Sequence, residues 1–278
     1  MLALNGLFTE YGSGGKVSCN SDHEAISRMR RFKIDAKVLG RNTAIVTGPE
    51  ANHMVNVLRL KAGDPVTLFD GSGLDYAAII KTVSKDEVRL SIEAQRRSTA
   101  ESPVRITVAQ GFLKEKKMDT LVRQLTELGI SRWIPFFGAR SVPRPDAGRL
   151  AKRAVRWQKI ADAALKQCRR AQSLQIEAAT DFKGMLQQAD RAAVRLLFWE
   201  EEDRAFPGSG HLPNGDPQDV FVVLGPEGGL TAEEADRARK AGFQSVSLGP
   251  RILRAETATL VAGSLVQYLF GDLGKGRR

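Results

Sequence analysis

Two stretches of the chain run from an apolar strand through a Gly-Pro turn into a helix, and together they narrow the possible folds most. The first is Val220-Phe221-Val222-Val223-Leu224, followed by Gly225-Pro226-Glu227-Gly228-Gly229-Leu230-Thr231-Ala232-Glu233-Glu234. The second is Val246-Ser247-Leu248, followed by Gly249-Pro250-Arg251-Ile252-Leu253-Arg254-Ala255-Glu256-Thr257. A near-continuous apolar strand is buried on both faces, as in a parallel sheet covered by helices. Val194-Arg195-Leu196-Leu197-Phe198 reads the same way. Thr231, with Glu234 three residues on, forms a capping box that starts a helix. In open α/β sheets, ligands bind outside the carboxyl ends of the strands. Two such junctions on neighbouring strands would therefore line one cleft.

The rest of the chain divides around these junctions. Residues 1–28, with Gly12-Ser13-Gly14-Gly15, carry no periodic pattern and read as a flexible extension. Residues 29–100 alternate short strands with Gly/Asp turns, which suggests a small β-barrel. One helix over Pro49–Leu58 interrupts them, with Met54, Val57 and Leu58 expected on its apolar face. After the polar linker Gln95–Pro103 the period changes. Met118, Leu121, Val122, Leu125 and Leu128 mark one helix face, which Gly129 ends. Leu150, Ala154, Trp157, Ala161, Ala164 and Cys168 mark a long second helix. Strands alternating with helices make residues 101–278 an α/β domain. The chain's 278 residues give about two domains by the usual length of roughly 150 residues per domain.

Several chemistries are set aside at once. The first loop lacks the Gly-Lys-Ser/Thr of a phosphate-binding P-loop and the GxGxxG of a dinucleotide fold. Cys19 and Cys168 are far apart and make neither a metal spacing nor a redox pair, so no metal is expected and a reducing, cytoplasmic setting is. No segment reaches the ~20 apolar residues of a membrane helix, and the first residues do not resemble a signal peptide. The charge is positive: 42 Lys and Arg against 32 Asp and Glu, a net +10. A basic chain suits a polyanion such as RNA. Candidate phosphate contacts are Arg30, Arg31 and Arg59 in the first domain, and Lys114, Lys116, Lys117 and Arg156 in the second.

The motifs GPEGGLTAEE and LGPRILRAETA, in this order and spacing, resemble the two signatures of the RsmE family. These are 16S rRNA uridine-N3 methyltransferases of the SPOUT superfamily. The likeness runs over about residues 29–273 and takes in His53…Val57-Leu58-Arg59, Leu68-Phe69-Asp70-Gly71, Lys117-Met118, Thr126-Glu127-Leu128-Gly129 and Arg156-Trp157. The resemblance implies an N-terminal PUA-like β-barrel and a C-terminal SPOUT domain with a parallel sheet and trefoil knot. It implies a homodimer acting on 16S rRNA within the 30S subunit, with S-adenosylmethionine (SAM) as cofactor. By matching positions, SAM would lie against Leu197, Phe198, Leu224, Gly225, Glu227, Gly228, Leu248, Gly249, Ile252, Leu253 and Arg254. The reading by residue types agrees. Apolar side chains make a slot for adenine, glycines expose backbone, and Gly228→Val is expected to fill the cleft. A cation facing uracil O2 and O4 would stabilise the charge that develops there. Arg254 is the first candidate for that catalytic role and Arg170 the second. Glu227 is a possible base, but more simply a carboxylate that orders its loop. His53 is expected to pack its helix.

The sequence departs from the family pattern in places. Ala255 stands for a threonine, Phe198-Trp199-Glu200 for a His-Pro strand end, and Arg169-Arg170-Ala171-Gln172 for Gly-Arg-Asn-Arg. The alternative functions are a non-catalytic RNA-binding or ribosome-assembly protein, and a SPOUT methyltransferase with another RNA target.

Overall fold

The computed structural model describes residues 29–275, apart from 85, 115, 143, 190–191 and 207–216. The extension expected over residues 1–28 lies outside the described residues. The chain splits into two units, Met1–Thr99 and Ala100–Arg278.

The first unit is a five-stranded sheet of β1 (Arg30–Lys33), β2 (Thr43–Thr47), β3 (Pro65–Phe69), β4 (Leu74–Val83) and β5 (Glu87–Arg97), in the order β1-β3-β4-β5-β2. Only the β1–β3 pairing is parallel. The β3–β4 turn uses Gly71 and Gly73 at φ 93° and 92°, and Asp70 accepts from the Ser72 N–H. Two register shifts between β4 and β5 bend the long hairpin, and the sheet curls into a half-barrel. Phe32, Val66, Leu68, Ile80, Val88 and Leu90 fill its concave core. The helix expected at Pro49–Leu58 is shorter than the pattern implied. Helix α1 (Gly48–Asn52) passes into a π turn over His53–Val57, closed by the Leu58 N–H to the His53 carbonyl. The wider π turn breaks the 3.6 period. Met54 is therefore buried while Val57 is 64% exposed.

The second unit is a wholly parallel sheet of β6 (Arg105–Gly111), β7 (Arg132–Phe137), β8 (Gln175–Ile176), β9 (Thr180–Asp181), β10 (Val194–Phe198), β11 (Asp219–Leu224) and β12 (Gln244–Val246). The order is β12-β10-β11-β6-β7-β8, with β9 also on β7. The apolar runs alternate faces as strands must. Val194, Leu196, Phe198, Val220, Val222 and Leu224 face one core. Leu197, Phe221 and Val223 face the other. Helices α2 (Lys117–Glu127), α3 (Ala147–Cys168) and α6 (Ala255–Leu269) cover the first face through Leu121, Trp157 and Val266. Helices α4 (Phe182–Gln187) and α5 (Ala232–Lys240) cover the second through Phe182, Met185, Ala235 and Ala238. Each fully buried Leu, Val or Phe contributes roughly 1.5–3 kcal/mol before entropy is subtracted. Burial on both faces, not strand propensity, thus holds the sheet. Among the described residues, no helix is long and apolar enough to cross a membrane.

One expectation needs correcting. The strands that carry the two Gly-Pro junctions are not neighbours, because β10 lies between them. Strand β10 pairs with β11 from Val194↔Val220 to Phe198↔Leu224, and with β12 from Leu196↔Gln244 to Phe198↔Val246. Its carboxyl end therefore enters the cleft between the two loops.

Candidate active site

The carboxyl ends of β10, β11 and β12 open into a cleft of about 950 Å³. Its apolar wall is made by Phe198, Trp199, Leu224, Leu248, Leu253 and Ala258. The loop after β11 supplies Gly225, Glu227 and Gly228, and the loop after β12 supplies Gly249, Ile252 and Arg254. Ten of the eleven residues matched to the cofactor site thus line one cleft. Leu197 does not. Strand alternation turns it into the opposite core, where it is fully buried. Ile252 lines the cleft but is 89% exposed, so it stands at the open mouth and not in the buried wall.

The first loop is shaped by its glycines. A Cβ at Gly225 would press on Gly229 and Leu230 at 3.1 Å. A Cβ at Gly228 would meet the Arg140 Cβ at 3.0 Å and its carbonyl at 3.2 Å. A valine at 228 would therefore collide with the Arg140 loop and not enter the cleft, contrary to expectation. Arg140 also donates to the carbonyls of Gly228 and Leu230. The capping box at Thr231 and Glu234 is present, and Glu234 reaches on to the Ala139 N–H at 2.8 Å. One buried carboxylate thus caps α5 and fixes the loop that seats Gly228. Behind the loop, a Cβ on Gly111 would fall 2.3 Å from Pro226 N. Only glycine lets the end of β6 touch the loop there. In the second loop Gly249 has φ +102°, and a Cβ there would project into open space.

Charges gather on one side. Lys117 Nζ lies 3.3 Å from Glu227 Oε1 and 3.2 Å from Glu256 Oε2, the latter an ion pair whose angles fall short of a hydrogen bond. Glu227 also accepts from the Lys114 N–H at 3.0 Å, so Glu227 orders its loop. Burial pulls the Lys117 ammonium down, but Glu256 and Glu227 outweigh it and leave its pKa above the ordinary value. Burial raises the Glu256 carboxyl. The backbone N–H at its own helix start, Lys117 and Arg254 outweigh that and hold it low. Arg254 caps α6 with its backbone in the extended region, lies exposed, and pairs with no carboxylate among the described residues.

Other candidates lie elsewhere. Arg170, the second choice for a catalytic cation, is 2% exposed. Its guanidinium bonds Glu101 at 2.9 Å and the carbonyls of Thr126 and Ile130 at 2.8 and 3.0 Å. Glu101 also accepts from the N–H groups of Ala171 and Gln172. Arg170 therefore ties down the exit of α3 and does not reach the cleft. Arg31, proposed for RNA, pairs with Asp75 at 2.8 Å and stacks over Phe69, and reads as a structural cation. Arg156 bonds Asp119 at 2.6 Å but stays exposed. Arg30 donates to the Leu58 carbonyl. Arg59, Lys114 and Lys116 are exposed. His53 packs edge-on to Phe32, their centroids 6.0 Å apart. The Cys168 thiol is pushed up by burial, as suits a packed thiol. Among the described residues, no group of three His, Cys, Asp or Glu side chains is placed to hold a metal.

Sequence reasoning missed Trp199 and Gln110. Trp199 lines the cleft, donates its indole N–H to the Leu230 carbonyl and lies under Arg239. Gln110 is fully buried near the end of β6 and bonds the first loop at Gly225 and helix α6 at Thr259. A polar residue ending an apolar strand was the available signal for Gln110. The residues present fit SAM: apolar walls for adenine, glycines at 225 and 249 that place no side chain in the cleft they line, and mixed charge at the rim.

Comparison with known proteins agrees with this geometry. An RNA methyltransferase domain model matches residues 100–267, and an RNA methyltransferase PUA domain model matches residues 46–93. Ribosomal RNA small subunit methyltransferase E of Bacillus subtilis (strain 168) is 34% identical over 232 residues, 81% of this chain and 90% of the relative. The protein of the same name from Mesomycoplasma hyopneumoniae (strain 232) is 28% identical, covering 84% and 96% of the two chains. The crystal structure of ribosomal RNA small subunit methyltransferase E from Neisseria gonorrhoeae, bound to S-adenosyl methionine, superposes with a TM-score of 0.75 at 30% identity. The match covers 88% of this chain and 99% of that one. With the family model matching most of its length and two sheet-end loops meeting in one cleft, the chain belongs to the RNA methyltransferase family of ribosomal RNA small subunit methyltransferase E.

Proposed function

We propose that this protein transfers a methyl group from SAM to N3 of a uridine near the 3′ end of 16S rRNA in the 30S subunit. The observation that carries the reading is the cleft itself. Two glycine loops at parallel strand ends converge on it, and Arg254 stands exposed at its rim, in no salt bridge among the described residues. SAM, when bound, supplies an electrophilic methyl group. The chain's residues do the rest. Phe198, Leu224, Leu248 and Leu253 exclude water from a slot for adenine, and the two glycine loops bring main chain to its edge. Lys117 holds Glu227 and Glu256 together, so the two loops share one frame. Arg254 would present its guanidinium to uracil O2 and O4, where negative charge develops as N3 passes its proton to water; the N3–methyl bond would form as the sulfonium–methyl bond breaks and S-adenosylhomocysteine leaves.

The family's homodimer, trefoil knot and cytoplasmic setting belong to this proposal. Val142, Val155 and Tyr268, between 61% and 70% exposed, support a partner surface on the second unit. The chain path supports a knot: β12 ends at the sheet edge, yet α6, next in sequence, returns to pack on β6 and β11. The half-barrel unit and the net charge of +10 support an RNA substrate.

Arg254→Ala tests the reading. Methyl transfer to 30S subunits should fall at least 100-fold, on the order of what one lost charge-stabilising donor removes. SAM affinity should change little. A wild-type transfer rate in that variant would remove Arg254 from the chemistry.

A further inference from the structure

The two loops that form the cleft leave from strands separated by β10, and one buried side chain ties the first loop to α6, the helix into which the second loop runs. Gln110, 0% exposed, ends β6. Its Nε2 donates to the Gly225 carbonyl at 2.9 Å and to the Gly111 carbonyl at 3.1 Å. Its Oε1 accepts from the hydroxyl of Thr259, which is also fully buried. Thr259 lies in the first turns of α6, the helix that Arg254 caps, where the Ala258 N–H donates to the Arg254 carbonyl at 2.8 Å.

We propose that Gln110 is a positioning residue for methyl transfer: its buried amide fixes the Gly225 carbonyl and the Thr259 hydroxyl together, so the cofactor loop and the helix start bearing Arg254 hold one geometry. The inference rests on the function proposed above. The amide suits this work because it offers two donors and an acceptor, and all are used. In a dry interior each such bond is strong, and an orphaned partner is costly. A carboxylate at position 110 keeps the acceptor for Thr259 but loses the two donors that serve the Gly225 and Gly111 carbonyls. The loop cannot shift to compensate, because Gly111 already touches Pro226 and Gly225.

The test is calorimetric titration of SAM into wild type, Gln110→Glu, Thr259→Val and Thr259→Ser, with melting temperature recorded for each. The SAM dissociation constant should rise about tenfold in Gln110→Glu and Thr259→Val, the scale of one buried partner left unmade. Thr259→Ser, which keeps the hydroxyl, should restore it. Thr259→Val should also lower kcat, and that loss should vanish in an Arg254→Ala background, because the clamp acts through Arg254. If Gln110→Glu fails to fold, the Thr259→Val and Thr259→Ser pair carries the test alone. Lower melting temperatures with unchanged SAM affinity, or a kcat loss that persists without Arg254, would make Gln110 merely structural and overturn the proposal. Failure of wild type to bind SAM would instead refute the cofactor reading on which it rests.

Discussion

Adjacent residues Arg169 and Arg170 show how far one position can differ from the next. Arg170 is buried and spends its guanidinium on Glu101 and two carbonyls. Removing one partner of such a pair leaves a charge without compensation. Arg169 ends α3 with φ 65°, the left-handed region where glycine is at ease and other residues are strained. Arg169→Gly should therefore stabilise the protein by about 1 kcal/mol, read from the midpoint of urea unfolding. A loss of stability would mean that contacts of the arginine side chain outweigh its backbone strain. The type of residue at 170 was legible in the sequence, but its role was not. An arginine on a long helix near a cleft motif looks the same whether it faces substrate or core, and only the position of Glu101 decides. Ile252 shows the reverse: an apolar residue inside a motif can line a cleft and still stand almost fully exposed.

Among the elements, the two strand-loop-helix junctions were legible because each carries its own chemistry: an apolar run, glycines, then a cap. Their separation by β10 was not, since strand order is set by pairings remote in sequence. The π turn over His53–Val57 escaped for a related reason, because a search at period 3.6 cannot find a turn of another period. The seat of the first loop is the contact of Gly111 with Pro226, backbone against backbone. Gly111→Ala should push the loop off the end of β6 and weaken SAM binding at least tenfold, on the order of a moderate overpacking strain. Wild-type affinity at unchanged melting temperature would show the loop free to move.

The bridge from Glu227 through Lys117 to Glu256 joins the same elements at the surface. Glu256 is held below its ordinary value, so its share of stability is present above about pH 4.3, the unfolded value, and fades as pH falls through the lower folded one. Lys117 is held above its ordinary value, so its share persists up to about pH 10.4 and fades above it. The melting-temperature difference between wild type and Lys117→Met should be level across neutral pH and shrink in acid. A difference that persists unchanged at pH 3 would contradict the bridge.

For the whole molecule, a net charge of +10 and two units of different strand pattern gave the division and the class of partner their first support. The cleft became legible only when loops, strand end and Arg254 were seen to meet in space. The central claim is that this cleft methylates one uridine of the small-subunit RNA. The most direct measurement is transfer from methyl-labelled SAM to 30S subunits that lack the modification, with the product nucleoside identified by mass spectrometry. N3-methyluridine at a single site near the 3′ end of 16S rRNA is the predicted result. A different methylated nucleoside, or no transfer by protein that binds SAM, would contradict it.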